Sequence, residues 1–265
     1  MRGIRAYCFF ACLLFFIASC GGNGGDNSVI AGAGAGGGNG TVAGVAASGS
    51  ELIGYAFIKD SVGTVLGPRS IGPDGGFSFD VSGMTPPFYL RADGNAGGRA
   101  VKLYSFAAGA GTTHINPLTN IAFAAAAGEN NPALVYNNPS FYAVTQAGLD
   151  AATGNLRGML MPLLVAYDGD INPFTGAYTA NHTGLDGLLD VVGVELDTTA
   201  GSVTVLNRAT GALIGATSVT DLANPTNTIF TVEAPSTALL DDLLEIKTML
   251  ASFFVALNKG TALAS

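Results

Sequence analysis

The chain has 265 residues, 11 basic and 19 acidic, for a net charge of −8 at pH 7, and only 11% of it is charged. It contains no run of Lys and Arg, which argues against nucleic acid as a partner, since that binding depends on clustered cations. All three cysteines, Cys8, Cys12 and Cys20, fall in the first twenty residues, so the rest of the chain offers no thiol for a disulfide, a Cys-ligated zinc, a haem linkage or a cysteine nucleophile.

Residues 1–5 include Arg2 and Arg5, and residues 6–17 are unbroken apolar sequence, the charged and hydrophobic regions of a signal peptide. That run is too short to span a bilayer, which needs roughly 20 apolar residues. It ends in Ile17-Ala18-Ser19-Cys20-Gly21, which resembles the lipobox of bacterial lipoproteins. The resemblance implies cleavage of a signal peptide over residues 1–19 and lipidation, with palmitate among the acyl chains, at Cys20. The mature chain would be held to a membrane through that lipid. Loss of the two leader arginines and no acidic residue would move the net charge from −8 to −10. Residues 21–40 contain ten glycines and no periodic apolar pattern, so residues 20–40 read as the lipidated cysteine and a flexible tether. Its reach, about 25 Å by square-root scaling, would hold the folded part just clear of the membrane.

Residues 41–113 read as short strands between turns, at 41–47, 52–60, 77–81, 88–92 and 101–106. In Phe77-Ser78-Phe79-Asp80-Val81 the strict alternation predicts Phe77, Phe79 and Val81 on one buried face, entered through the turn Pro73-Asp74-Gly75-Gly76. Such strands predict a small antiparallel β-sandwich. Thr41-Val42-Ala43-Gly44, then residues 54–60, then Asp74-Gly75-Gly76-Phe77-Ser78-Phe79 resemble the carboxypeptidase regulatory-like (transthyretin-like) domain of bacterial exported proteins. Gly54 departs from the small or β-branched residue often found at its place. The string from Leu103-Tyr104-Ser105 to Ile115-Asn116-Pro117-Leu118-Thr119 is similar to that of bacterial lipoproteins in which such a sandwich precedes a helical region. The resemblance implies an architecture and brings no activity.

Residues 114–265 read as a helical region with a β-meander. Asn116 suits a helix N-cap, Pro117 its first position and Gly128 its C′ position. Leu156, Leu160, Leu163, Leu164 and Tyr167 lie at helical spacing, with Pro162 as a kink, and Leu185, Leu188, Leu189 and Val192 form a second amphipathic stretch. A three-stranded meander is predicted at about 194–219, and a C-terminal helix at about 236–258 carries a broad apolar stripe that includes Leu239, Leu243, Leu250 and Phe254. The fold class expected is therefore α+β.

No nucleophile elbow, zinc-protease helix or phosphate-binding glycine loop occurs, and no catalytic or cofactor-binding residue is assigned. Of the two histidines, His114 reads as structural. His182 could be drawn into a triad with Asp186 or Asp190, but nothing selects a serine. The best ion site is calcium at Asp168, Asp170 and Asn172, oxygen donors at alternate positions, although Pro173 and Thr179 break the EF-hand pattern. The expectation is a lipid-anchored protein of the cell envelope, on the outer membrane rather than the inner, acting as a non-enzymatic binding or structural module toward an envelope protein or glycan. The alternatives are an envelope hydrolase using His182 and a scaffold subunit docking through the C-terminal helix.

Overall fold

In the computed structural model of the chain, residues 40–224 are described, together with the single positions Glu245, Met249 and Ser252. Three β-sheets and five helices occur among them, an α+β fold. The first sheet is built on β1 (Thr41–Val45), which pairs antiparallel with β4 (Gly76–Asp80), Val42 facing Phe79. On its other side β1 pairs in parallel with the two-residue β7 (Gly111–Thr112), so the sandwich is not wholly antiparallel. The second sheet is antiparallel and joins β2 (Ile53–Lys59), β3 (Val65–Ser70), β5 (Phe88–Ala96) and β6 (Arg99–Ala107) in the order β3-β2-β5-β6.

The two sheets close on one apolar layer. Phe77, Phe79 and Val81 are 5%, 2% and 4% exposed and meet Ala56, Ile58, Leu90 and Leu103 of the facing sheet, as the alternation predicts. Gly54 has a steric reason to be glycine: a Cβ there would collide with the backbone carbonyl of Asp93 on β5. Strand β3 escapes a sequence reading because Gly67 and Pro68 interrupt it, and it is tolerated as an edge strand, where a missing N–H costs no ladder bond.

Helix α1 (Pro117–Ala127) begins as predicted. The Asn116 side chain accepts from the N–H groups of Leu118 and Thr119, each at 3.0 Å, and the Thr119 hydroxyl accepts from the Asn116 N–H at 2.9 Å, a reciprocal cap. Gly128, at φ +64°, closes it. Nine of its residues are buried, because α1 lies on the outer face of the second sheet and against α3 (Gln146–Ala166). Tyr89 and Phe106 of the sandwich belong to the same apolar cluster as Phe123, Leu156, Leu160 and Leu189. Residue 113 therefore marks no break in packing, and one face of the sheet is core for the helical region.

The short α2 (Pro132–Asn137) and α5 (Val219–Ala223) were not legible in the sequence, nor was the Gly- and Thr-containing first half of α3. Helix α3 continues through Pro162, and Gly158 is the residue whose carbonyl loses its donor. Helix α4 (Gly184–Val191) runs directly into β8 (Val192–Leu196), which forms the expected meander with β9 (Ser202–Asn207) and β10 (Leu213–Ser218). The predicted helix at 236–258 lies outside the described residues except for Glu245, Met249 and Ser252, each of which is helical.

Candidate functional site

Asp170 is paired with Arg157, whose Nε donates to it at 3.2 Å, and Asn172 Oδ1 accepts from the N–H groups of Phe174 at 2.9 Å and Thr175 at 3.3 Å. Two of the three donors are thus engaged by protein groups, and the arrangement gives no support to calcium at Asp168, Asp170 and Asn172. The physical reason is local: an Asx turn at Asn172 and the reach of an arginine from α3 satisfy oxygens that a cation would otherwise need.

His114 is buried and structural, as expected. Its Nδ1 accepts from the Val45 N–H at 3.1 Å, so Nε2 carries the proton and donates to the Gly176 carbonyl at 2.8 Å. Burial lowers its pKa, against a smaller opposite effect of the Gly176 bond. The ring ties β1 to the loop before α4.

That loop and α4 do bring together His182, Asp186 and Asp190, whose ligand-type atoms all lie within 4.8 Å of one another. His182 adopts φ +60° just before the helix, and its N–H donates to Asp186 Oδ2 at 2.9 Å. The Tyr178 hydroxyl donates to Asp186 Oδ1 at 3.3 Å, so both oxygens of this fully buried carboxylate are occupied. Asp190, one turn further along the helix, meets His182 Nδ1 at 2.9 Å. Burial raises the pKa of Asp186, and it raises that of Asp190 from the ordinary 3.8 to about 6, further pushed by Asp186 and opposed by His182. An adjoining cavity of about 480 Å³ is lined by Tyr167, Tyr178, Thr179 and Thr183, with the Thr183 hydroxyl already donating to Asn181 at 2.7 Å. Chemically the cluster holds a histidine against a carboxylate and anchors the N-terminus of α4. It supplies an oriented base.

A second site was not foreseen. A cavity of about 420 Å³ opens where β6 meets α1, α2 and the meander, lined among others by Arg99, Lys102, Tyr104, Asn120, Asn131 and Arg208. Asn120 Oδ1 is fixed by the Tyr104 N–H at 3.0 Å and Asn131 Oδ1 by the Ala133 N–H at 3.0 Å, so both amides are oriented at the wall. Arg208 Nε donates to the carbonyls of Leu189 at 2.8 Å and Val192 at 3.2 Å, which holds its guanidinium in place. Arg99 reaches Glu195 at 3.8 Å, a solvent-exposed pair of little energetic weight. These residues come from segments about a hundred positions apart, and no local spacing marks them. The signal available was the alternation of polar and aromatic residues on β2 and β6, readable as an outer face only once the register is known. No protein family, curated protein or solved structure matches the chain.

Proposed function

We propose that this chain is a lipid-anchored protein of the bacterial cell envelope, on the outer membrane rather than the inner, that acts as a non-enzymatic binding module. The anchor rests on the charged start, the short apolar run and Cys20, the tether on residues 21–40, and the folded part on its likeness in pattern to a regulatory-like sandwich. The single observation that carries the binding reading is the open cavity at the seam of β6, α1, α2 and the meander, where cationic groups and two oriented amides converge. In a bacterial host, Cys20→Ala should abolish palmitate labelling and release the protein from the membrane fraction; unchanged labelling refutes the anchor. Full-length protein in detergent, immobilised and washed with solubilised envelope glycan, should retain it, and Ala133→Trp, which fills the cavity, should lose that retention. Equal retention by the variant refutes the cavity as the site.

A hydrolase is favoured by one observation, the His182–Asp190 pair. Turnover of a p-nitrophenyl ester by the full chain, lost in His182→Gln, would replace the binding reading.

A further inference from the structure

Register fixes which side chains share the outer face of the second sheet. On β2 they are Tyr55, Phe57 and Lys59; on β5, Asp93, Arg91 and Tyr89; on β6, Lys102, Tyr104 and Phe106. The end of this face near Tyr89 and Phe106 is covered by the helices: Tyr89 meets Phe123 edge-on at 6.1 Å, and Tyr104 meets Tyr136 of α2 at 5.6 Å. The other end is open, with Tyr55 52% exposed and Lys102 and Asn95 exposed beside it.

At the border between the covered and open ends the groups are left incomplete. The Arg91 guanidinium stacks on Phe57 at 4.2 Å and on Tyr136 at 5.3 Å and pairs with Asp93 Oδ2 at 3.0 Å. Lys59 Nζ lies 4.7 Å from the same Tyr136 ring. Two cations thus share one ring, and burial, with the Arg91 charge behind it, holds Lys59 below the usual lysine range. Arg91 Nε and Asp93 Oδ1 are buried yet have no protein partner. Lys102, facing Asp93 across the strands, and Tyr104, facing Arg91, also line the 420 Å³ cavity, which continues to Arg99 and Arg208. Of the seven basic residues among the described positions, five lie on this one surface, in a chain whose net charge is −8. The surface therefore carries the sign opposite to the rest of the molecule, which is what an anionic ligand would require.

Building on the binding reading above, we infer that the open sheet face and the cavity form one continuous site for an acidic oligosaccharide, a glycan bearing uronate carboxylates. Cations at spaced points, Arg91 and Lys102 on the face and Arg99 and Arg208 beyond it, match carboxylates recurring along a chain of sugars. The half-exposed Tyr55 ring and Phe57 provide flat apolar surface for the carbon faces of sugar rings, and the amides of Asn95, Asn120 and Asn131 suit hydroxyl groups, which both donate and accept. A nucleic acid would also bring anions and rings, but its binding draws on runs of Lys and Arg, and the chain has none.

The test is calorimetric titration of the full chain in non-ionic detergent with hexagalacturonate, with cellohexaose and with a hexathymidylate. The expected result is binding of hexagalacturonate alone, weakened by added salt and weakened at least tenfold in the Arg99→Glu/Lys102→Glu double variant, with the melting temperature kept. Arg69→Glu, a single charge reversal on β3, should leave binding as it was. No binding of hexagalacturonate, equal binding of the neutral or the nucleotide hexamer, or binding unmoved by the double variant overturns the inference. Binding of cellohexaose alone would do so while leaving the binding module standing; if no hexamer binds and the envelope glycan is not retained either, that module falls as well.

Discussion

Two polar clusters of this protein are built from similar residues and differ in one respect. At the start of α4, Asp186 has both oxygens occupied, by the His182 N–H and the Tyr178 hydroxyl, and Asp190 is matched to His182. On the outer face of the second sheet, two cations lean on one ring, one of them pairs with Asp93, and Arg91 Nε and Asp93 Oδ1 are buried with no protein partner among the described residues. A closed network spends its polar groups on holding the fold, and a network with unmet groups under an open surface has capacity left for a ligand. On the reading proposed above, His182 belongs to the scaffold and Arg91 to the site.

The contrast can be sharpened first through stability. Phe79→Ala removes a ring that is 2% exposed in the layer beneath the open face, and urea unfolding should show a loss of about 3–5 kcal/mol; a change within about 0.5 kcal/mol would mean that the two sheets do not close on this residue. Asp186→Ala leaves the Tyr178 hydroxyl and the His182 N–H without acceptors, at about 1–3 kcal/mol for each stranded group. If the variant instead melts like the parent, the network is not structural and a role for His182 in chemistry gains ground.

The charge on Asp190 gives a third, smaller effect with a defined sign. Because its pKa is raised in the folded state from 3.8 to about 6, the neutral carboxyl is the form that the fold prefers. The contribution is fully present below about pH 4 and is lost as pH rises through about 6. The melting temperature of the parent minus that of Asp190→Asn should therefore fall between pH 4 and 6 and level off above; a difference independent of pH would show that His182 fully offsets the burial. His114, whose pKa burial lowers, acts in the other direction, and its contribution is lost as pH falls below its ordinary 6.5. Measuring the two proteins side by side removes it from the difference. The smallest effect on stability belongs to the open face: Lys102→Glu should change unfolding free energy by no more than about 0.5 kcal/mol, since its side chain is exposed and makes no structural contact that the fold depends on.

Much of this was legible in the chain. The alternation at 77–81 gave a buried face because a period of two admits one, and Asn116, Pro117 and Gly128 bounded α1 because each residue meets a requirement of a helix end. Nearby pairs such as His182 with Asp186 and Asp190 were also within reach, since the two aspartates lie one turn apart on α4 and His182 just precedes it. What was not legible depends on register and on contacts between distant segments. Arg91 meets Tyr136 only because β5 lies under α2, and Arg208 reaches the cavity only through the meander. The partner of Asp170 was not legible for the same reason, as Arg157 reaches it from another element.

The central claim is that the outer face of the second sheet, with its adjoining cavity, is the binding site and that the His182 cluster is scaffold. Hydrogen–deuterium exchange of the full chain with and without hexagalacturonate locates the ligand directly. The account predicts slowed exchange in β5, β6 and α2, with residues 178–190 unchanged. Protection confined to residues 178–190, or none at all, would contradict it.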